Sequence, residues 1–219
     1  MGTKRILCYG DSDTWGYIAG TGERRGADCR WTGVCQNELG GEYTVIENGL
    51  NGRTTVFDHP DNPYLNGLKG LGYALLTQRP LDLVVLFLGS NDVMYTDAEG
   101  SAAGADTLVR TLLEADKVYR TGQSIFPNGA KVLLLSPPLS APEIHQVRPG
   151  SVLAEKSGEL LKYAELYRKI AGDRGVYFLD AAKYAKSSPV DCIHMDDESH
   201  LALGKQVAKT VRQIFEQLG

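Results

Sequence analysis

Short apolar segments of strand length alternate with longer segments of helical periodicity along the chain. The strand-like segments are rich in aliphatic residues and span residues 4–9, 43–47, 81–88, 131–135 and 176–179. The longer segments carry apolar residues at every third or fourth position and span residues 31–39, 64–77, 98–120, 152–173 and 197–218. Strands that alternate with helices in this way predict an α/β fold built on a parallel sheet.

The third strand-like segment marks the centre of the predicted sheet. Residues 81–88 are almost continuously apolar, which is typical of a strand covered by helices on both faces. Five parallel strands with right-handed crossovers form a three-layer αβα sandwich, for which we predict the flavodoxin-like strand order 2-1-3-4-5. The 219 residues contain no repeat, low-complexity tract or linker, so we expect a single domain over residues 1–219.

The composition limits the kinds of molecule that the protein is expected to bind. The formal net charge is -4, which gives no indication of the basic surface that binds nucleic acid or an anionic membrane, so a small neutral molecule is the expected partner. The four cysteines, at positions 8, 29, 35 and 192, have no CxxC spacing and are interpreted as reduced thiols. The sequence does not open with a signal-peptide pattern, and no apolar run reaches the roughly 18 residues of a membrane span. The expected location is therefore the cytoplasm.

Polar residues follow the predicted strands at the points where the strands end. Ser12 lies in the turn GDSDTWG after the first strand, Gly52 lies in a glycine-rich turn after the second, and Asn91 follows the third. Asp191 and His194 lie in the loop after the fifth strand. Because the carboxyl ends of parallel strands meet at one edge of the sheet, we expect these five residues to form one site.

The five residues supply the groups that acyl transfer requires. Ser12 provides a hydroxyl nucleophile, His194 an imidazole base, and Asp191 a carboxylate that orients the imidazole. The backbone N–H groups of Ser12 and Gly52, with the side-chain amide of Asn91, provide donors for the oxyanion that develops on an ester carbonyl. The pattern therefore predicts a serine esterase that acts through an acyl-enzyme.

Two Asp-x-x-His sequences compete for the role of base, Asp191 to His194 and Asp197 to His200. The second begins with acidic residues directly before an apolar-periodic segment, which is typical of the capped first turn of a helix. His200 is therefore expected inside that helix, and we assign the base to His194.

Three further residues are candidates for the substrate pocket. Trp15 is either a core aromatic or a wall of the acyl pocket, and His145 is either a solvated loop residue or a pocket residue. Asp13 directly follows the nucleophile, where an inward-facing carboxylate would disfavour an anionic substrate. We expect Asp13 to face partly to solvent.

Together these segments resemble the SGNH hydrolase superfamily, also called the GDSL-type esterases and lipases. GDSDTWG resembles the nucleophile segment of that family, and the glycine of GLNGRTT, the asparagine of GSND and the terminal DCIH resemble its other segments. ILCYGDSDTWGY, RWTGV, VIENGLNGRTT and LSPP are most similar to the bacterial short-chain aryl esterase and acyltransferase branch. The resemblance implies a serine esterase without metal or cofactor that acts on small acyl esters, in some members with transfer to alcohols. It also implies a homo-oligomer whose neighbouring loops narrow the entrance.

Two positions depart from the resembled pattern. The family commonly has leucine, isoleucine or asparagine where this chain has Asp13, and it often has glycine where this chain has Cys192. We interpret Cys192 as a small packing residue that makes its loop slightly stiffer.

Other functions stay open at the level of the sequence. Asp11 and Asp13 match the Asp-x-Asp-x-Thr segment of haloacid-dehalogenase-like magnesium phosphatases, although later loops supply the further acidic ligands and the lysine poorly. A carbohydrate acetylesterase or a lysophospholipase is an alternative within the resembled superfamily. A non-catalytic, flavodoxin-like module that cradles a phosphate on GDSDTWG would leave Asn91, Asp191 and His194 without a role.

Overall fold

The structure, a computed structural model, describes residues 2–120 and 122–216. Its strands are β1 (Lys4–Gly10), β2 (Tyr43–Gly49), β3 (Leu83–Phe87), β4 (Val132–Ser136) and β5 (Tyr177–Asp180). They form one parallel sheet in the order β2-β1-β3-β4-β5, which confirms the predicted fold class and strand order. Every residue of β3 and β4 is buried, whereas the edge strand β2 is half-buried along its length.

Helices cover both faces of the sheet. In the described part of the chain they are α1 (Ser12–Trp15), α2 (Trp31–Leu39), α3 (Gly67–Gln78), α4 (Ala98–Leu113), α5 (Ala115–Val118), α6 (Ile144–Val147), α7 (Val152–Glu155), α8 (Leu160–Arg174) and α9 (Asp197–Glu216). Short 3-10 turns occupy Ala27–Cys29, Pro63–Leu65, Ser90–Met94, Ser157–Glu159 and Ala181–Lys183. Among the described helices, none is both long and apolar enough to cross a membrane.

Two apolar cores hold the three layers together. Successive side chains of a strand point to opposite faces, so Leu7 packs in one core with α3, α4 and α8 while Cys8 packs in the other with α2 and α9. In β4, Leu134 packs in the first of these cores and Leu135 packs in the second. Each fully buried leucine contributes about 2 kcal/mol, so burial on both faces stabilises the central strands.

Two glycines allow α1 to lie close against the ends of the strands. Gly10 and Gly49 are register partners at the ends of β1 and β2. A Cβ atom on Gly49 would lie 2.1 Å from the backbone nitrogen of Trp15, and one on Gly10 would lie 2.1 Å from Oγ1 of Thr14. The close approach of backbone to backbone therefore requires glycine at position 49, and it places the turn that carries Ser12 directly on the sheet edge.

Several observed elements differ from the predicted ones in their bounds. The helix predicted over residues 98–120 is divided at Glu114, and Asp116 of the second piece accepts hydrogen bonds from Ser124 and from the N–H of Ile125, which turn the chain back. The helix predicted over residues 152–173 is divided at the 3-10 turn that contains Gly158, a residue that destabilises a helix by about 1 kcal/mol.

Smaller differences affect loops and ends. The helix predicted from residue 64 begins at Gly67, because the side chain of Asn66 caps it by accepting a hydrogen bond from the N–H of Lys69. The one-turn helix α6 lies between the segments predicted over residues 131–135 and 152–173, where no element is predicted. The last helix is described to Glu216, and its predicted end at residue 218 lies outside the described residues.

Candidate active site

Ser12 is the first residue of α1, directly beyond the carboxyl end of β1. Asp11 caps this one-turn helix, because its carboxylate accepts a hydrogen bond from the N–H of Asp13 at 3.1 Å. Gly16 ends the turn with a left-handed φ of 89°, a conformation that favours glycine. The tight turn leaves the Ser12 side chain at the sheet edge, and Asp11 braces that turn.

His194 lies between Ser12 and Asp191. Its Nε2 is 3.1 Å from Oγ of Ser12, and its Nδ1 is 2.6 Å from Oδ2 of Asp191. The other carboxylate oxygen of Asp191 accepts hydrogen bonds from the N–H groups of Ile193 (3.1 Å) and His194 (3.0 Å), which closes the loop into a turn. The fold thus brings together the hydroxyl, imidazole and carboxylate singled out in the sequence.

The hydrogen bonds of this turn set the charge state of its two ionisable groups. Burial alone would raise the pKa of Asp191, but the bonds from the imidazole and the backbone of His194 lower it to about 2. Burial opposes a charge on His194, yet the bond to Asp191 and the negative charge of Asp13 raise the imidazole pKa above its usual value. The site is therefore arranged to stabilise an imidazolium.

Gly52 and Asn91 lie on the turns that flank the Ser12 turn. Gly52 has a left-handed φ of 77° in the turn after β2. The side-chain amide of Asn91 donates one hydrogen bond to the carbonyl of Arg53 at 3.0 Å and lies 3.5 Å from the Asp11 carboxylate. The two N–H groups of the amide thus both have an acceptor, and the long bond to Asp11 is the weaker one, which a ligand can replace while the bond to Arg53 fixes the side chain.

Arg53 joins two of these turns. Its guanidinium donates to the carbonyls of Gly10 (2.8 Å) and Asn48 (2.6 Å) and lies 4.1 Å above the ring of Tyr9. The backbone N–H of Leu50 also donates to the carbonyl of Gly10, at 3.2 Å. The turns after β1 and β2 are therefore fixed to each other by two hydrogen bonds to the carbonyl of Gly10.

Asp92 braces the turn after β3 and is fully buried. Its carboxylate accepts hydrogen bonds from the N–H (2.8 Å) and the hydroxyl (2.6 Å) of Thr55 and from the hydroxyl of Ser101 (2.8 Å). Burial raises the pKa of Asp92 to about 6 despite these three donors. The contacts hold the Asn91 turn against the loop that follows Gly52.

Asp13 does not face solvent, so that expectation is wrong. Its side chain is only 4% exposed, and its Oδ1 accepts a hydrogen bond from the N–H of Met195 at 3.0 Å. The reason is that α1 turns this side chain under the loop that carries His194, a contact between residues 182 positions apart. Asp13 therefore belongs to the interior of the site.

The candidate base His194 has an aromatic neighbour for which the sequence carries no signal. The ring of Tyr17 stacks on the imidazole, with centroids 4.1 Å apart and planes inclined by 29°. Tyr17 lies five residues after Ser12, beyond the short helix, where spacing alone predicts no contact. The stacking covers one face of the imidazole and restricts its rotation.

Cys192 has the packing role predicted for it. Its side chain is fully buried with Ala141, Ile144 and Ala154. Its φ of 64° lies in the left-handed region that favours glycine, so a side chain at this position is held in a conformation that non-glycine residues rarely adopt. All four cysteines are free thiols.

His200, the rejected alternative base, lies inside α9 as predicted. It is fully buried, and its Nδ1 accepts a hydrogen bond from the N–H of Trp31 at 3.2 Å. Burial, with a contribution from the charge of Arg25, lowers its pKa to about 3. His200 is therefore a neutral structural histidine.

The remaining pocket candidates lie towards the outside. Trp15 is half-buried, with the guanidinium of Arg24 5.3 Å from its ring centroid. His145 is exposed on α6. A narrow cleft, with about 10 Å³ of space open to a water molecule, is lined by Ser90, Val93, Pro138, Ser140, Leu153, Leu160, Ser187 and Ile193. Because Ser90 precedes Asn91 and Ile193 precedes His194, this cleft adjoins the reactive groups.

The described residues contain no group of three or more histidine, cysteine or acidic side chains arranged to hold a metal ion. The groups available for chemistry are a hydroxyl, an imidazole and hydrogen-bond donors. Such a set can carry out nucleophilic acyl transfer.

Comparison with known proteins defines the class. The model of the GDSL-like lipase/acylhydrolase family matches residues 8–202, so the chain belongs to that family. It is a serine hydrolase of carboxylic esters. Family membership favours this activity over the magnesium phosphatase considered for Asp11 and Asp13.

Solved structures agree with the family. An aryl esterase of M. smegmatis is 35% identical over 96% of this chain and 99% of its own, with a TM-score of 0.84. A carbohydrate acetylesterase from Sinorhizobium meliloti is 32% identical over 97% and 100%, with a TM-score of 0.88. A lipase/acylhydrolase from Enterococcus faecalis, at 17% identity over 96% of each chain and a TM-score of 0.68, shares the fold. No match was found among curated proteins.

Replacing His200 with glutamine should change how stability depends on pH. The folded-state pKa of about 3 lies below the ordinary value of 6.5, so the unfolded chain binds the extra proton first as the pH falls. Wild-type stability should therefore fall below pH 6.5 by up to about 1.4 kcal/mol per pH unit from this residue. The H200Q variant should lack that component in urea unfolding between pH 7 and 4.5.

The exposed His145 provides the control, because H145Q should leave the wild-type pH dependence intact. Equal slopes for the wild type and H200Q would contradict a neutral, buried His200.

Proposed function

We propose that Ser12, His194 and Asp191 are the catalytic triad, and that the protein hydrolyses small, short-chain acyl esters through an acyl-enzyme. The observation that carries the proposal is the continuous line of contacts from Oγ of Ser12 to Nε2 of His194 (3.1 Å) and from Nδ1 to Oδ2 of Asp191 (2.6 Å). A hydroxyl becomes a nucleophile only when a base removes its proton, and the imidazole lies at the required distance.

In the acylation step, Oγ of Ser12 attacks the ester carbonyl while Nε2 of His194 takes the hydroxyl proton. Asp191 holds Nδ1 protonated and stabilises the imidazolium. The same proton then passes to the leaving alcohol as the carbon–oxygen bond breaks, which leaves an acylated Ser12. A water molecule, or an acceptor alcohol, gives a proton to Nε2 of His194 as it attacks the acyl group. His194 then returns that proton to Oγ of Ser12 as the bond between Oγ and the acyl carbon breaks, which releases the acid, or the new ester, and restores Ser12.

The oxyanion of each tetrahedral intermediate is assigned to three donors. They are the backbone N–H groups of Ser12 and Gly52 and the side-chain N–H of Asn91 that now makes the long 3.5 Å bond to Asp11, a bond weak enough for an oxyanion to replace. Ser12 is the first residue of a helix, and the first N–H groups of a helix lack partners within it. One such donor stabilises a transition state by about 3 kcal/mol.

The proposed substrate is a small ester with a short acyl chain. The adjoining cleft is narrow, with only about 10 Å³ of space open to a water molecule, so it favours a short acyl chain over a long one. Its lining is mainly apolar, through Val93, Pro138, Leu153, Leu160 and Ile193. The aryl esterase and carbohydrate acetylesterase relatives support aryl or sugar alcohols as leaving groups, with transfer to an acceptor alcohol as a second reaction.

We also propose a cellular location and a class of binding partner for the protein. Free thiols at all four cysteines support a reducing compartment such as the cytoplasm, and the net charge of -4 supports a neutral small molecule over nucleic acid or an anionic membrane. We also propose a homo-oligomer, for which the exposed rings of Tyr64 and Tyr73 offer apolar surface.

Loss of the nucleophile or of the base should abolish hydrolysis. Ser12→Ala and His194→Ala should each lower the kcat for p-nitrophenyl acetate by about 10⁴-fold or more, because each group acts as part of one unit. Labelling by a fluorophosphonate, followed by intact mass, should occur on the wild type and not on S12A. H200Q should retain most activity, and the opposite result for the two histidines would overturn the assignment.

Loss of the Asn91 amide should slow the chemical step. Asn91→Ala should lower kcat for the same ester by about 100-fold, with little change in KM, because the donor acts on the oxyanion and not on the bound ester. Asn37→Ala, at an exposed position of α2, is the control and should leave kcat unchanged. A normal kcat for N91A would assign Asn91 to bracing alone.

Acyl-chain length should limit the rate. The kcat/KM should fall by about tenfold or more from p-nitrophenyl acetate to the octanoate, since the cleft has no room for eight carbons. Leu153→Ala should shift the preference towards butyrate, whereas Leu161→Ala, 69% exposed on α8, should not. A wild-type preference for octanoate would contradict the assignment of this cleft as the acyl pocket.

A further inference from the structure

Asp13 is a buried acid in contact with both halves of the site, and the proposed mechanism assigns it no step. It directly follows Ser12, and its carboxylate accepts a hydrogen bond from the N–H of Met195, the residue after His194. The backbone on either side of the Ser12–His194 contact is thus joined a second time, through Asp13. With 4% exposure, the side chain is shielded from the water that would otherwise weaken its electric field.

Met195 is held from two directions. Its N–H donates to Asp13 at 3.0 Å, and its carbonyl accepts a hydrogen bond from Nη2 of Arg25 at 3.3 Å. Arg25 also pairs with Asp197, with 2.5 Å between Nη1 and Oδ1. The residue that follows His194 is therefore fixed on one side by a carboxylate and on the other by a guanidinium.

Charged and titratable groups surround the imidazole of His194 from every packed segment. Asp11 and Asp13 face it from the turn after β1, and Asp191 faces it from its own loop. The Tyr17 ring lies on its face, and His200 of α9 and Arg25 lie farther off in the same interior. The negative charges of Asp13, Asp191 and Asp11 all favour the imidazolium and raise the pKa of His194.

We propose that Asp13 is a second carboxylate for His194, a positioning residue that holds the imidazole loop through Met195 and stabilises the imidazolium through its negative charge. The inference rests on the proposed function, because it assigns the imidazolium to the Ser12 reaction. Asp13 does not touch the ester, so its two effects reach the reaction only through His194 and its loop.

Removal of the Asp13 charge should change two measured quantities, the pH of the acid limb and the plateau rate. Without this charge, the imidazole holds a proton less tightly, so the acid limb of kcat/KM should move to lower pH. The imidazolium formed in the transition state should also be less stable, so the plateau rate should fall. One unit of pKa corresponds to a factor of ten in the stability of the imidazolium. If the acid limb moves by one unit, the plateau rate should therefore fall by no more than about tenfold.

The variant Asp13→Asn separates charge from position, because its amide oxygen can still accept the N–H of Met195. We expect the acid limb to move down by about half a unit to one unit, and the plateau kcat to fall by about three- to tenfold. Loss of Asp13 also allows Asp11, whose pKa burial and the Asp13 charge raise to about 7, to ionise more readily. The charge gained by Asp11 replaces part of the charge lost at Asp13, and this limits how far the acid limb moves. An acid limb unchanged within 0.2 units in folded D13N would overturn the electrostatic part.

Asp13→Leu removes the acceptor as well as the charge. It should show the same shift of the acid limb, together with a further drop in kcat and slower fluorophosphonate labelling of Ser12. Rates equal to those of D13N would overturn the positioning part. Glu198→Gln removes an exposed charge near the start of α9, and as the control it should leave both the limb and the plateau in place.

A second measurement is independent of catalysis. In the S12A background, NMR titration of nitrogen-15-labelled histidine should give a lower pKa for His194 when Asp13 is replaced by asparagine, with the His194 signal identified by its loss in H194Q. An unchanged value would refute the proposal whether or not the enzyme is active. A wild type that neither hydrolyses esters nor labels at Ser12 would instead contradict the proposed function, while the titration would still decide the role of Asp13.

Discussion

The contact between Ser12 and His194 joins residues 182 positions apart, and it can form only because the layered fold brings these two segments together. A single hydrogen bond contributes about 1 kcal/mol, which is less than the entropy cost of closing so long a loop. The contact is therefore a consequence of the packed sheet. β1 lies in the sheet interior with β2 and β3 on either side, and the two apolar cores hold the turn after β1 and the loop before α9 at the same edge.

The turns at this edge are stiff because they hydrogen-bond to one another. Arg53 reaches from the turn after β2 to the carbonyl of Gly10, Asn91 donates to the carbonyl of Arg53, and Asp92 accepts from Thr55. A catalytic group must be held within a fraction of an ångström of its working position. Buried carboxylates and guanidinium groups that bind backbone provide that rigidity on segments with no regular secondary structure.

The same edge concentrates carboxyl groups around one imidazole. Asp11 and Asp13 lie beneath the nucleophile, and burial raises the pKa of both. Asp191, in contrast, is held ionised by the hydrogen bonds of its own turn, which lower its pKa to about 2. The cation that these groups can stabilise is His194, whose pKa they raise. The carboxyl groups in this small volume thus favour the protonated imidazolium form that His194 reaches when it acts as a general base.

The sequence by itself determined the order of strands and helices, because continuous apolar strands such as 81–88 alternate with amphipathic helices and admit few topologies. It also identified Ser12, Asn91, Asp191 and His194 as neighbours, since residues after parallel strands share an edge, and it placed His200 in a helix from its acidic first turn. Tertiary structure alone decided the orientation of Asp13, the stacking of Tyr17 and the left-handed backbone of Cys192. These features depend on contacts between distant segments and on the direction in which a short helix turns its side chains. Local periodicity carries no information about either.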